Sequence, residues 1–196
     1  MKRLFDLMSA AAGLAILSPV FALVATGVLL TSGCPVFFRQ RRKGRGGKDF
    51  ALVKFRTMTV LSGTERGSFD AGSVSRVTPF GRFLRKTKLD ELPQLWNVLK
   101  GDMALVGPRP EISQWVEAYP ERWARVLTVR PGITDPASIV YRNEEEILAR
   151  SADPARTYRD LILPHKLDLY ENYVRTRTFF GDFKILIQTL WTVARG

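Results

Sequence analysis

The longest apolar stretch of the chain lies near its N terminus, where residues 7–38 carry no charged side chain. About 20 residues of helix are enough to cross the hydrocarbon core of a bilayer, so length permits a membrane segment. The pair Ser18-Pro19 interrupts the middle of this stretch. Because proline lacks a backbone donor and clashes with the preceding turn, we expect the helix to kink or break there. The Ser18 hydroxyl is a partner for the freed backbone.

Basic residues flank the apolar stretch on both sides. Lys2 and Arg3 precede it. A basic cluster follows it, which we define as Arg39, Arg41, Arg42, Lys43, Arg45 and Lys48. Positive charge marks the cytoplasmic side of a membrane segment, and a chain that bends at the Ser-Pro pair and returns satisfies this rule at both ends. We therefore predict a re-entrant hairpin over residues 1–38, in preference to a kinked single span or a helix buried in a soluble protein.

After this stretch the pattern predicts short elements. Residues 50–56 alternate as a strand does, and residues 35–40 are its partner in a small β-hairpin. The Gly/Ser-rich residues 60–77 predict a long loop. Thr78 as a cap and Pro79 at the first helical position predict a short helix.

A second short helix is predicted over LDELPQLWNVLKG, with Asp90 as its cap and an end at Gly101. Its apolar face consists of Leu92, Leu95, Trp96 and Leu99. The stretch MALVGPRP is an apolar run that leads into a rigid turn. Further helices follow, with a break near Pro120. The stretch that begins with RPGIT is predicted to start as an irregular loop and to become helical near Asn143.

The last predicted helix, residues 183–194, is amphipathic, so its apolar face can lie on a membrane or in the protein core. The whole pattern predicts an α+β class that is mostly helical. Its parts are a re-entrant membrane hairpin over residues 1–38 and a cytoplasmic-face catalytic domain over residues 39–196. The domain contains the β-hairpin, a compact helical body and amphipathic interfacial helices, and its catalytic role is what the family resemblance described below implies.

Composition and charge narrow the partners and the metals. The chain has 196 residues, 30 Lys and Arg against 19 Asp and Glu, and a net charge of +11, which suits an anionic partner. The position of the basic cluster beside a membrane segment favours anionic lipid, as an anchor or as a solvated loop that sets topology, and disfavours nucleic acid. Cys34 and His165 are the sole cysteine and histidine, so neither an internal disulfide nor a multi-histidine metal site can form. A metal would be a hard, oxygen-bound ion such as magnesium.

Two adjacent acids, Asp90 and Glu91, stand among basic residues. Helix capping and interaction with the helix dipole explain such acids in structural terms. The same helix terminus and the nearby cations are expected to lower the pKa of Asp90 and keep it ionised, as a nucleophile or metal ligand must be. Adjacent side chains on a helix do not face each other, so we expect the two acids to have different roles.

Two arginines near the acids point to phosphate chemistry. Arg85 precedes them, and Arg109 lies between Pro108 and Pro110 in a stiff turn, where Gly107 permits close backbone approach. Arginine binds phosphate through two parallel hydrogen bonds and stays charged. Together with the membrane segment, this constellation suggests a phosphorylated lipid as a substrate.

Four stretches, RQRRKG, KFRTM, LRKTKLDELPQLWNVLKGDMALVGPRP and RPGIT, closely resemble the bacterial sugar transferases, the small monotopic phosphoglycosyl transferases. The resemblance covers essentially the whole chain, including the Ser-Pro break. It implies transfer of a phosphosugar from a UDP-sugar to undecaprenyl phosphate, with release of UMP and a requirement for Mg²⁺. It also implies a place in the bacterial inner membrane, facing the cytoplasm, with downstream glycosyltransferases as candidate partners.

The resemblance further implies roles for single residues. Asp90 matches the nucleophile that forms an aspartyl-phosphosugar, and it is also the expected metal ligand. Glu91 matches its partner, which assists activation of Asp90 or of the lipid phosphate. The positions that match phosphate-binding residues are Lys54, Arg85, Arg109 and Arg142.

The sequence departs from the common family pattern after RPGIT, where it continues DPASIVYRNEEEIL instead of GWAQV. We expect Glu144, Glu145 and Glu146 to form a solvated helix start, with contact to substrate or metal as the alternative, and His165 to be structural. The competing hypothesis for the whole chain is a non-catalytic membrane-bound adaptor that binds anionic lipid or an acidic partner. That hypothesis expects the change Asp90→Asn to be harmless.

Overall fold

The computed structural model describes residues 1–59 and 76–194. The predicted loop over residues 60–77 lies outside them except for its last two positions. Within the described residues the chain is mostly helical and carries a two-stranded antiparallel sheet, in agreement with the predicted α+β class.

Two helices open the described chain, four short strands lie among the helices that follow, and helices alone form the part after the last strand. The helices are α1 (Lys2–Ile16), α2 (Ser18–Ser32), α3 (Pro79–Lys86), α4 (Gln94–Lys100), α5 (Ser113–Ala118), α6 (Pro120–Val126), α7 (Pro136–Val140), α8 (Glu144–Ala149), α9 (Pro154–Thr157), α10 (Leu163–Thr176) and α11 (Phe179–Ala194). The strands are β1 (Phe37–Lys43), β2 (Asp49–Phe55), β3 (Ala104–Val106) and β4 (Gly132–Thr134). The last helix therefore begins four residues earlier than its apolar pattern predicted.

Helices α1 and α2 meet at the predicted Ser-Pro break, with Leu17 between them. The Ser18 hydroxyl donates to the Ala15 carbonyl at 2.8 Å. This is the carbonyl that the missing N–H of Pro19 leaves without its usual helical donor, so the predicted partnership is confirmed. Among the described residues no single helix is long and apolar enough to cross a membrane. Taken together, α1 and α2, which meet at a bend of 63°, are long and apolar enough to do so.

Strands β1 and β2 form the predicted hairpin, from the pair Phe37 and Phe55 to the pair Lys43 and Asp49. The side chain of Asn97 in α4 serves the free edge of β2, accepting from the Val53 amide at 3.1 Å and donating to the Ala51 carbonyl at 2.8 Å. The hairpin is thereby joined to the helix that follows the acidic pair.

A second sheet was not predicted. Strand β3 pairs in parallel with β4, in stretches that the pattern had described as an apolar run and an irregular loop. Their backbones approach so closely after β3 that a Cβ on Gly132 would lie 2.1 Å from the Gly107 nitrogen. Helix α7, which follows β4, was likewise missed, although Asp135 caps it by accepting from the Ser138 amide.

Helix α1 packs directly on the rest of the protein. Its Arg3 donates to the Val98 carbonyl near the end of α4 at 2.8 Å. Its Lys2 donates to the Val106 carbonyl at 3.1 Å and pairs with Asp182 of α11. The division into domains at residues 38 and 39 stays a prediction, but α1 belongs to the same packed unit as α4 and β3.

Replacing Gly132 by alanine is expected to destabilise the protein by more than about 2 kcal/mol, because the backbone of Gly107 cannot move away as a side chain would. Gly13→Ala is the matched control. A Cβ there meets only the Leu95 side chain at 3.3 Å, and alanine favours the helix. Thermal unfolding of both variants in detergent measures the difference, and equal midpoints would show that the close approach is unimportant.

Candidate active site

The acidic pair lies in a turn between two helices. Thr78 caps α3 by accepting from the Gly81 amide at 2.9 Å, as predicted. After α3, Lys88 adopts a left-handed conformation with φ of 58°, and Leu89–Glu91 forms a 3-10 turn. Helix α4 begins only at Gln94, so the prediction that Asp90 caps it is wrong.

The apolar face of α4 is only partly as predicted. Leu95 and Leu99 pack against the core, whereas Trp96, also assigned to this face, is 57% exposed. Val98, which was not assigned to the face, is fully buried. Gly101 ends the helix with φ of 93°, as predicted.

Glu91 is held between two cations. Its carboxylate pairs with Lys54 Nζ at 2.8 Å and with the guanidinium of Arg109. Burial alone would raise the pKa of Glu91, but attraction to Arg109 and Lys54 outweighs burial and holds the pKa well below its usual range. Glu91 is therefore a permanently ionised anchor for the two cations.

Asp90, the next residue, has the opposite environment. It is only 6% exposed, and its Oδ1 has no hydrogen-bond partner among the described residues. Burial raises the pKa of Asp90 to about 6, against the opposing effect of Lys54. The expected lowering of this pKa is wrong in direction, because loss of water outweighs the cations. A carboxyl group with this pKa is still mostly ionised at neutral pH.

Arg85 borders the pair and Arg142 does not contact it. The positive charge of Arg85 lowers the pKa of Asp90, although less than burial raises it. Its guanidinium donates through Nε to Thr57 Oγ1 and through Nη1 to Glu145 Oε1, each at 2.9 Å. Arg142 is half-buried in the turn between α7 and α8. No hydrogen bond or ion pair within residues 1–59 and 76–194 links it to the acids.

The turn that carries Arg109 is secured on both sides. Before it, the Gly107 amide donates to the Thr134 carbonyl at 3.0 Å. After it, Arg42 Nη1 donates to the Pro110 carbonyl at 3.2 Å and to Glu111 Oε2 at 3.0 Å. These bonds orient the Arg109 guanidinium toward Glu91.

Comparison with known proteins identifies the family. The profile of the bacterial sugar transferase family matches residues 1–196. The chain belongs to the bacterial sugar transferase family. Membership confirms the predicted enzyme class, a transferase.

Individual relatives cover different shares of their own length. The transferase is 42% identical over 190 residues to the uncharacterized sugar transferase EpsL of Bacillus subtilis, covering 97% of this chain and 85% of EpsL. It is 35% identical over 198 residues to a UDP-N-acetylgalactosamine-undecaprenyl-phosphate N-acetylgalactosaminephosphotransferase of Aeromonas hydrophila, covering 100% of this chain and 44% of that protein. It is 37% identical over 194 residues to a UDP-glucose:undecaprenyl-phosphate glucose-1-phosphate transferase of Klebsiella pneumoniae, covering 97% of this chain. The transferase spans 39% of the Klebsiella protein, so it corresponds to less than half of either of the last two relatives.

The donor set at Asp90 suits one kind of metal site. The described residues contain no group of three or more His, Cys, Asp or Glu side chains placed to hold a metal. The free Oδ1 of Asp90 fits a magnesium ion that takes its other ligands from substrate phosphates and water. Both oxygens of Glu91 are engaged by cations, so Glu91 is a poor candidate ligand.

Sequence reasoning missed three residues that support the site. Thr57 orients Arg85, and Arg42 with Glu111 secures the turn before α5. Arg42 had been assigned to the basic cluster that faces lipid or solvent. Alternation along β1 was the available signal, because Arg39 and Arg41 are exposed whereas Arg42 turns inward and is only 21% exposed.

His165, which was expected to be structural, and two of the acids expected to be solvated, Glu144 and Glu145, have side-chain partners. His165 Nδ1 lies 2.7 Å from the Tyr141 hydroxyl. Glu144 pairs with the buried Lys166 at 3.0 Å. Glu145 does not stand free in solvent, since it pairs with Arg85.

Neutral substitutions of the two acids are expected to change the free energy of unfolding in opposite directions. A raised pKa means that ionised Asp90 destabilises the folded state, a cost that is present above about pH 7 and fades toward pH 4. Asp90→Asn should therefore raise the free energy of unfolding at pH 8 by up to about 3 kcal/mol and change it little at pH 4. Glu91→Gln should lower it by about 3–5 kcal/mol at pH 8, because Arg109 and Lys54 lose their partner.

Urea unfolding in detergent micelles at the two pH values measures both effects. Loss of stability in Asp90→Asn at pH 8 would contradict the proposed environment of this carboxylate.

Proposed function

We propose that the protein transfers a sugar 1-phosphate from a UDP-sugar to undecaprenyl phosphate, giving undecaprenyl-diphosphate sugar and UMP. The names of its relatives supply the substrate classes. The observation that carries the proposal is the buried Oδ1 of Asp90, which has no partner among the described residues. The positive charges of Lys54, Lys88 and Arg85 act on this carboxylate.

In the first half-reaction, Asp90 Oδ1 attacks the β-phosphorus of the donor. A bond forms between this oxygen and phosphorus, and the bond from phosphorus to the bridging oxygen breaks. UMP leaves with the bonding electron pair, and an aspartyl-phosphosugar remains on the protein. Attack requires ionised Asp90, and a pKa of about 6 provides this form at neutral pH.

In the second half-reaction, an oxygen of undecaprenyl phosphate attacks the same phosphorus. The bond to Asp90 breaks and the carboxylate is restored, so the cycle needs no net proton at Asp90. Two displacements let a soluble donor and a membrane-bound acceptor use one site in turn.

Glu91 has a different role in this proposal from the activating role that the family resemblance implied. With a pKa held well below its usual range, it is a weak proton acceptor. Its ion pairs with Lys54 and Arg109 support a positioning role, in which Glu91 holds both cations where they can bind substrate phosphates. Arg85 would bind phosphate from the other side of Asp90, and Arg142 stays a candidate on the basis of resemblance alone.

A magnesium ion held by Asp90 and the substrate phosphates would neutralise charge that develops on the phosphates. The side chains of this chain then divide the remaining work. Asp90 supplies the nucleophilic oxygen, and Lys54, Arg85 and Arg109 orient the phosphoryl groups.

We place the protein in the bacterial inner membrane, with α1 and α2 as a re-entrant hairpin and the catalytic domain facing the cytoplasm. The bend of 63° and the basic residues at both ends of the hairpin support this placement. Helix α11 contributes a second apolar surface. Its Ile185 and Leu186 pack in the core, whereas Phe180 is 83% and Leu190 67% exposed. Downstream glycosyltransferases would receive the lipid-linked product.

Asp90→Asn is expected to abolish UMP release in a mixture of purified protein, magnesium, a UDP-sugar and undecaprenyl phosphate. Incubation of the unaltered protein with donor alone should add the mass of one phosphosugar, and the variant should gain none. Glu117→Gln, which alters an exposed acid in α5, is the control and should behave as the unaltered protein does. Normal UMP release by Asp90→Asn would favour the adaptor hypothesis, and release of UDP would indicate ordinary glycosyl transfer.

Chelation of divalent metal is expected to stop turnover, because an anionic carboxylate that attacks an anionic diphosphate needs a cation to neutralise the charge. EDTA should reduce UMP release to background, and added magnesium should restore it. Full activity in EDTA would show that the cationic side chains neutralise the phosphates by themselves.

A further inference from the structure

We infer that Glu145 competes with a substrate phosphate for Arg85 and thereby sets the affinity for that substrate. In the free protein the Glu145 carboxylate occupies the Arg85 guanidinium, and a substrate phosphate replaces it on binding. The inference rests on the proposed function, because it takes Arg85 as a phosphate-binding residue.

The contact joins two elements that are distant in sequence. Arg85 lies in α3 and Glu145 in α8, and Nη1 is 2.9 Å from Oε1. Guanidinium donors bind carboxylate and phosphate oxygens in the same way, so the two anions compete for the same positive charge and for the N–H donor that Glu145 occupies. A phosphate that takes this donor must first displace Glu145.

Displacement requires no reorientation of Arg85. Its Nε donates to Thr57 Oγ1 at 2.9 Å, on a different nitrogen from the one that contacts Glu145. Thr57 can therefore keep the guanidinium plane in place while the acceptor at Nη1 changes.

Exposure distinguishes this ion pair from the one at Glu91. The Glu145 side chain is 67% exposed, whereas the Glu91 side chain is 10% exposed and held by two cations. A carboxylate that water can solvate after it is released leaves an ion pair at little cost. Glu145 is thus suited to exchange, and Glu91 is suited to permanent positioning.

The segment around Glu145 keeps this side chain close to the arginine. Glu144 pairs with Lys166 of α10, and Leu148 is fully buried, so α8 is attached on both sides of Glu145. The Glu146 side chain is exposed and forms no hydrogen bond or ion pair with the described residues. One acid of the three therefore reaches the active site, in the stretch where the chain departs from the common family pattern.

The test compares Glu145→Gln with Glu146→Gln in steady-state kinetics. In a two-step displacement, kcat/KM for each substrate reports its own half-reaction. Glu145→Gln is expected to raise kcat/KM by about two- to five-fold for the substrate whose phosphate takes Arg85. A rise for the UDP-sugar identifies the donor diphosphate as that ligand, and a rise for undecaprenyl phosphate identifies the lipid phosphate.

Glu146→Gln removes the same charge one position away and is expected to leave both values unchanged. An equal rise in the two variants would show a general effect of charge and overturn the inference, as would an unchanged or reduced value in Glu145→Gln.

A binding experiment separates this inference from the proposed function. Calorimetry with inorganic pyrophosphate needs no turnover, and Glu145→Gln should bind it about two- to five-fold more tightly than the unaltered protein or Glu146→Gln. In an Arg85→Ala background the same change should have no effect, because the contested partner is gone. Unchanged pyrophosphate affinity in a protein that releases UMP normally would defeat the competition alone, whereas absent UMP release with tighter binding would defeat the proposed reaction alone.

Discussion

The Glu91 carboxylate joins three parts of the chain through charge. Lys54 reaches it from the end of β2, Arg109 reaches it from the turn after β3, and Glu91 itself stands in the 3-10 turn before α4. In a poorly hydrated site the repulsion between two cations is strong, and an anion between them is needed to offset it. The position of both cations beside the acidic pair therefore depends on this one carboxylate.

The contrast between Asp90 and Glu91 follows from how many partners each has. Glu91 is saturated, and its pKa falls, whereas Asp90 is buried with a free oxygen, and its pKa rises to about 6. A carboxylate that lacks both water and hydrogen-bond donors costs stability and gains reactivity toward an electrophile. Glu91 thus has a structural role, and Asp90 keeps a free oxygen that can react as the proposed mechanism requires.

The segment after β2 connects this site to the α1–α2 hairpin. Arg56 donates to the carbonyls of Ser32, Gly33 and Cys34 at the end of α2, and its neighbour Thr57 orients Arg85. At the other end of the hairpin, Lys2 shares the Val106 carbonyl with the Tyr173 hydroxyl, three residues before Arg109. Both ends of the hairpin are therefore fastened close in sequence to the arginines of the candidate site, which suits the proposed reaction with a lipid substrate.

Sequence alone determined the features that depend on local chemistry. The Ser18 hydroxyl at the proline break, the cap of α3 at Thr78 and the β-hairpin follow from residue types and their spacing. Local motifs also identified the acidic pair and the arginines around it. The first three appear in the structure as predicted.

Tertiary structure decided the features that depend on burial and on distant partners. Strands β3 and β4 have three residues each, too few to show a period, and they are defined by pairing with each other. The direction of the pKa shift at Asp90 depends on how much water the surrounding elements exclude, a quantity that nearby cations in the sequence do not reveal. The contact between Glu145 and Arg85 spans 60 residues, and only the packing of α8 beside α3 brings the two charges together.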